Sequence, residues 1–157
     1  MSSFQFYQDV SMAVSRLHTP GGGTTTPIVQ EYGVTEASLS LTESYQTMDS
    51  IIVTTTVPSA SLLLWGILLV EQASGGGGGS DSLISARITI STSPAQYSKV
   101  ITGVVPHGHT LAIPVMCRGT GPVTPGNTTI VLEALKSSGT PSRVSAQLMC
   151  VGNAVNA

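Results

Sequence analysis

The chain has 157 residues and a formal net charge of −2; 9% of its residues are charged and 41% are apolar. This length suits one domain whose core folds without disulfide or metal staples, and the charge content is far below the roughly 25% of ordinary soluble domains. The six basic residues stand singly at Arg16, Arg87, Lys99, Arg118, Lys136 and Arg143, which argues against a surface that displaces counterions from nucleic-acid phosphates.

Hydroxyls take the place of charge: there are 21 Ser and 19 Thr. A surface so poor in charge resists association weakly. It therefore predicts cover by sister subunits or by a larger body, the alternative being an unusual monomer. The N-terminus, MSSFQFYQDV, has neither a basic leader nor an apolar core, and synthesis in the cytosol is expected. The longest apolar run, Leu62 to Val70, is about half of what a membrane-spanning helix needs, so no membrane association is expected.

The first 27 residues read as a docking arm and linker. Tyr7, Val10, Val14 and Leu17 recur at helical spacing. Asp9 near the start and Arg16 and His18 near the end complement a helix dipole. The segment stops at the Pro20-to-Pro27 stretch, rich in Gly and Thr, which cannot continue a helix. So short a helix is marginal alone in water. Residues 1–27 are thus expected to be an extended or short-helical arm that docks through Phe4, Phe6, Tyr7, Val10, Val14 and Leu17, or else a frayed terminus.

From residue 28 to 157 the pattern is β. Strands are expected at 28–32, 37–42, 51–57, 61–71, 83–91, 99–105, 110–117, 128–135 and 143–151. Ile84, Ala86, Ile88 and Ile90 alternate with Ser85, Arg87 and Thr89, and Val144, Ala146, Leu148 and Cys150 alternate with Arg143, Ser145, Gln147 and Met149. Half-buried strands separated by turn residues predict an all-β antiparallel sandwich or barrel. The run Leu62-Leu-Leu-Trp-Gly-Ile-Leu-Leu-Val70 is apolar on both faces, so a second cover is required. The arm, a long loop or a neighbouring subunit would supply it, and Leu62, Leu64, Trp65 and Leu68 are the expected anchors. The five glycines at 75–79 predict a mobile hairpin connection.

Chemistry is poorly represented. Gly21–Gly23 and Gly75–Gly79 lack the Lys-Ser/Thr of a phosphate loop, no Gly-x-Ser-x-Gly elbow occurs, and the eight acids are dispersed. No enzyme activity and no cofactor are expected. His107 and His109, at alternate positions, are weak metal candidates needing further ligands. Cys117 and Cys150 read as small buried thiols, with pairing left open by spacing. The loop 119–127 offers no aromatic platform for a sugar.

This Ser/Thr/Gly-rich β chain with a docking arm resembles the decoration, or cement, proteins of tailed phages. The segment Val105-Pro-His-Gly-His-Thr-Leu-Ala-Ile-Pro-Val-Met-Cys117, followed by Thr128-Thr-Ile-Val-Leu-Glu-Ala-Leu135, is similar to the closing strands of trimeric jelly rolls, such as phage fibre heads and tumour-necrosis-factor-like domains. The resemblance implies a jelly-roll-like sandwich and a homotrimer seated on the major capsid protein at the virion surface. A head-fibre or receptor-binding tip, contacting host glycan or protein, is the alternative it leaves.

Overall fold

A computed structural model of the chain describes residues 27–31, 35–37, 41–55, 58–73 and 80–153. The expected arm, with Phe4, Phe6, Tyr7, Val10, Val14 and Leu17, lies outside the described residues, as does the glycine run.

The described chain is all-β. Its strands are β1 (Pro27–Glu31), β2 (Thr35–Ala37), β3 (Gln46–Thr55), β4 (Ser61–Glu71), β5 (Ser82–Ile90), β6 (Gln96–Tyr97), β7 (Ile101–Val105), β8 (Thr110–Thr120), β9 (Gly126–Ser138) and β10 (Arg143–Asn153). They form two antiparallel sheets. The first runs β1-β10-β4-β8, with β2 also paired to β10; the second runs β3-β9-β5-β6, with β7 also paired to β5. From β3 onward, β3 and β4, β4 and β5, β7 and β8, β8 and β9, and β9 and β10 lie in opposite sheets. This repeated crossing makes the sandwich jelly-roll-like.

Strict alternation builds the core. Leu62, Leu64, Leu68 and Val70 of β4 meet Ile84, Ile88 and Ile90 of β5, Ile130 and Leu132 of β9, and Val144 and Leu148 of β10, all buried. Each such side chain gains about 1.5–3 kcal/mol by leaving water. The glycine-rich segment is not a hairpin connection, because β4 and β5 belong to different sheets.

Two ends of the layers are protected in different ways. No strand lies beyond β8 in the first sheet among the described residues, and β8 carries Pro114 in its interior. Proline withholds an N–H from the ladder, so it suits an edge and hinders a further strand from adding there. At the edge of the second sheet, β3 is bulged between Thr47 and Asp49, and the Asp49 carboxylate accepts a hydrogen bond from the Ser50 N–H (2.8 Å). Bulges twist an edge away from partners in the same manner.

Candidate functional site

The side of β4 that faces away from the core carries Leu63, Trp65, Ile67 and Leu69. Antiparallel register puts Trp65 between Met116 of β8 and Met149 of β10, Ile67 between Pro114 and Gln147, and Leu69 between Ala112 and Ser145. Residues directly opposite on antiparallel strands project from the same side of the sheet. Leu63, Trp65, Ile67 and Leu69 with Met116, Pro114 and Ala112 of β8 and Met149 of β10 form an apolar strip, bordered on β10 by the polar Gln147 and Ser145. Met116 is 65% exposed, Leu63 46% and Leu69 44%. A shallow depression of about 180 Å³ lies between Ile67, Leu69 and Ser145. The Trp65 Nε1 is enclosed with no acceptor among the described residues.

This geometry corrects the expected anchor set. Leu62, Leu64 and Leu68 are fully buried inside the sandwich, so they are core residues and no neighbour reaches them. Period-two alternation puts them opposite Trp65, which does lie on the outward side. The residues missed were Leu63, Ile67 and Leu69, together with Met116 on the next strand. Their signal was the doubly apolar run itself, but choosing its parity requires knowing which side the second sheet covers.

His107 and His109 do not share a strand face. β7 ends at Val105 and β8 begins at Thr110, and the His109 N–H donates to the Pro106 carbonyl (3.1 Å) in a turn where Gly108 has φ 75°. The His107 N–H donates to the Asp81 carboxylate (3.1 Å), which holds the turn to the β4–β5 connection. No group of three His, Cys, Asp or Glu side chains suited to a metal occurs among the described residues.

Cys117 and Cys150 are free thiols. Burial pushes the Cys150 thiol up to about 12, with the neighbouring Cys117 adding to the effect, and burial raises Cys117 as well. Both are therefore poor nucleophiles.

A second cluster lies on the outer face of the other sheet. The Arg87 Nε donates to Glu133 Oε2 (2.8 Å), and the Thr89 hydroxyl donates to the same oxygen (2.7 Å). The Arg87 guanidinium lies 3.9 Å from the ring centre of Tyr45 and 4.9 Å from that of Tyr97, within cation–π range. These five residues come from four separate segments; sequence alternation put Arg87 and Thr89 on one face but did not bring Tyr45, Tyr97 and Glu133 to them.

No protein-family model matches the sequence, and no curated protein matches it. Among solved structures, the chain is similar to the globular domain of the zebrafish complement 1qA protein, at 13% identity over 64% of this chain and 67% of that one, with a TM-score of 0.43. It is also similar to a chain in the structure of infectious bursal disease virus, Gx strain, at 15% identity over 82% of this chain, with a TM-score of 0.51. The match spans 33% of that viral chain's length. The viral likeness is one of fold: both contain an antiparallel β-sandwich of this kind.

Proposed function

We propose that this chain is a structural subunit of a virion that self-associates through the outer face of its first sheet, as a trimer, and decorates the outer shell. The observation that carries the reading is the apolar strip around Trp65, open to solvent at Leu63, Leu69 and Met116. Contiguous apolar surface of this kind on a soluble domain marks an interaction site. With 9% charged residues in the chain, little electrostatic repulsion opposes the approach of a second copy. The sandwich shared with a chain of a virus structure and the resemblance to phage decoration proteins support extending self-association to a virion role.

In this role the protein works by burying area. It binds the assembled shell better than dissociated shell subunits, and mass action then stabilises the shell. The arm at residues 1–18 would grip the shell or a sister subunit.

The test has two parts. Native mass measurement of the purified protein should give three times the 16.1 kDa of one chain; a monomer at micromolar concentration overturns self-association. Incubation with empty shells of the virus that encodes it should give co-sedimentation, and deletion of residues 2–18 should weaken it. Adhesion to host cells without shell binding would favour a receptor-binding tip instead.

A further inference from the structure

We infer that the outer face of the second sheet holds a binding site for a neutral saccharide, built from Tyr97, Arg87 and Glu133. The inference stands whether or not the chain self-associates, because this patch and the Trp65 strip belong to opposite sheets and both can be occupied at once.

The two outer faces differ in character. The first carries the apolar strip centred on Trp65, bordered by polar residues of β10. The second, around Arg87, is a field of hydroxyls: Ser85 and Thr102 are hydrogen-bonded to one another at 2.9 Å, and Thr89 binds Glu133. Within this field the chain concentrates a large share of its scarce chemistry. Of four tyrosines in the sequence, two flank one arginine.

The hydrogen-bonding groups are only half used. Arg87 engages Glu133 through Nε alone, and Glu133 accepts both of its bonds on Oε2. The two terminal amino groups of Arg87 and the Oε1 of Glu133 have no partner among the described residues, and the two side chains are 26% and 20% exposed. A planar pair of donors therefore sits beside a free carboxylate acceptor. Vicinal hydroxyls of a pyranose, each able to donate and accept, complement that arrangement.

The aromatic component is present as well. Tyr97 is 59% exposed, so its ring still offers open surface after resting on Arg87. A sugar's C–H face stacks on such a ring, removing apolar surface from water on both partners. The stack also fixes the guanidinium before any ligand arrives, which lowers the ordering cost of binding.

Charge selects the ligand class. Arg87 and Glu133 neutralise each other within the patch, so the site offers no net attraction to phosphate, sulfate or a second carboxylate. A neutral sugar keeps the ion pair intact, whereas an anion would compete with Glu133 for the guanidinium.

Saturation-transfer NMR on the full chain with lactose, maltose, cellobiose and chitobiose tests this. Transfer to at least one of these disaccharides is expected. Tyr97→Ala and Arg87→Met should each weaken its binding by about tenfold or more, the loss expected for one charge-assisted contact, with melting temperatures close to that of the parent chain. Absence of transfer to all four sugars overturns the proposal. So does transfer that survives both substitutions, or binding restricted to an anionic sugar such as galacturonate.

Discussion

Cys117 and Cys150 are both register partners of Leu64, one on each side, so a whole strand stands between them. Adjacent strands lie about 4.8 Å apart, which sets the two Cα atoms about 9.6 Å from each other. Disulfides require Cα separations below about 7 Å. The native fold therefore forbids the bond that sequence spacing left open. Under native conditions at pH 8, Cys150 should resist a thiol reagent while Cys117 reacts slowly, and both should react at once in denaturant. Immediate stoichiometric labelling of Cys150 in the folded chain would contradict this placement.

The same thiols impose a sign on alkaline stability. The folded state holds the Cys150 proton to about 12, from an ordinary value of 9.0. Above pH 9 the unfolded chain thus binds fewer protons than the folded one, and stability falls as pH rises. The contribution is intact below pH 9 and is progressively lost between pH 9 and 12. Denaturant midpoints measured from pH 8 to 11 should decline, and Cys150→Ala should start lower but decline less steeply. Parallel slopes for the two proteins would remove Cys150 as the cause.

Much of this architecture was legible from alternation. β4 occupies the expected 61–71, and Ile84, Ala86, Ile88 and Ile90 are buried as their spacing required. The departures have physical causes. β3 begins at Gln46 instead of residue 51, because the bulge at Thr47–Asp49 breaks the period-two pattern that would have announced it. β6 has two residues, too few to show any period. The Tyr45–Arg87–Tyr97 stack was illegible for another reason: its members are neighbours only through the pairing of β6 with β5 and of β3 and β5 with β9. An aromatic patch assembled from separate strands leaves no local trace in the sequence.

Gly139 turns the chain from β9 into β10 with φ 77°, and a Cβ there would lie 2.6 Å from the Ser82 Cα. Ser82 is fully buried, and its hydroxyl donates to the Gln72 Oε1 (2.5 Å). Neither the backbone angle nor the neighbour tolerates a side chain. Gly139→Ala should cost at least about 1–3 kcal/mol from the left-handed conformation alone, with the clash adding to it. Urea unfolding would read this as a lowered midpoint; an unchanged midpoint would mean that the turn relaxes.

The Arg87–Glu133 pair should contribute little to folding despite its short contact. Side-chain exposures of 26% and 20% leave it screened by water. Partly exposed pairs contribute about 0–1 kcal/mol, and Glu133→Gln retains a hydrogen-bond acceptor for Thr89. A loss of at most about 1 kcal/mol in chemical denaturation is expected. A much larger loss would mark the cluster as a fold-holding element and weaken the case for a ligand site.

Leu68 and Leu69 are adjacent in sequence and separate folding from assembly. Leu68 is fully buried between the sheets, whereas Leu69 is 44% exposed on the outer strip beside Ala112 and Ser145. Truncating Leu68 to Ala removes core contacts and should cost about 2–5 kcal/mol of stability. Leu69→Gln and Met116→Glu alter solvent-facing positions of the isolated chain, where substitutions usually stay within about 0.5 kcal/mol. If the strip is the contact between copies, these two outer variants keep the fold and lose the assembly. Sedimentation should then shift to the mass of one chain, while circular dichroism stays that of the β-sandwich. Their melting temperatures should also stop rising with protein concentration, because only an associating fold is stabilised by its own copies. An oligomer of unchanged mass in the Leu69→Gln, Met116→Glu double variant would move the interface elsewhere on the sandwich.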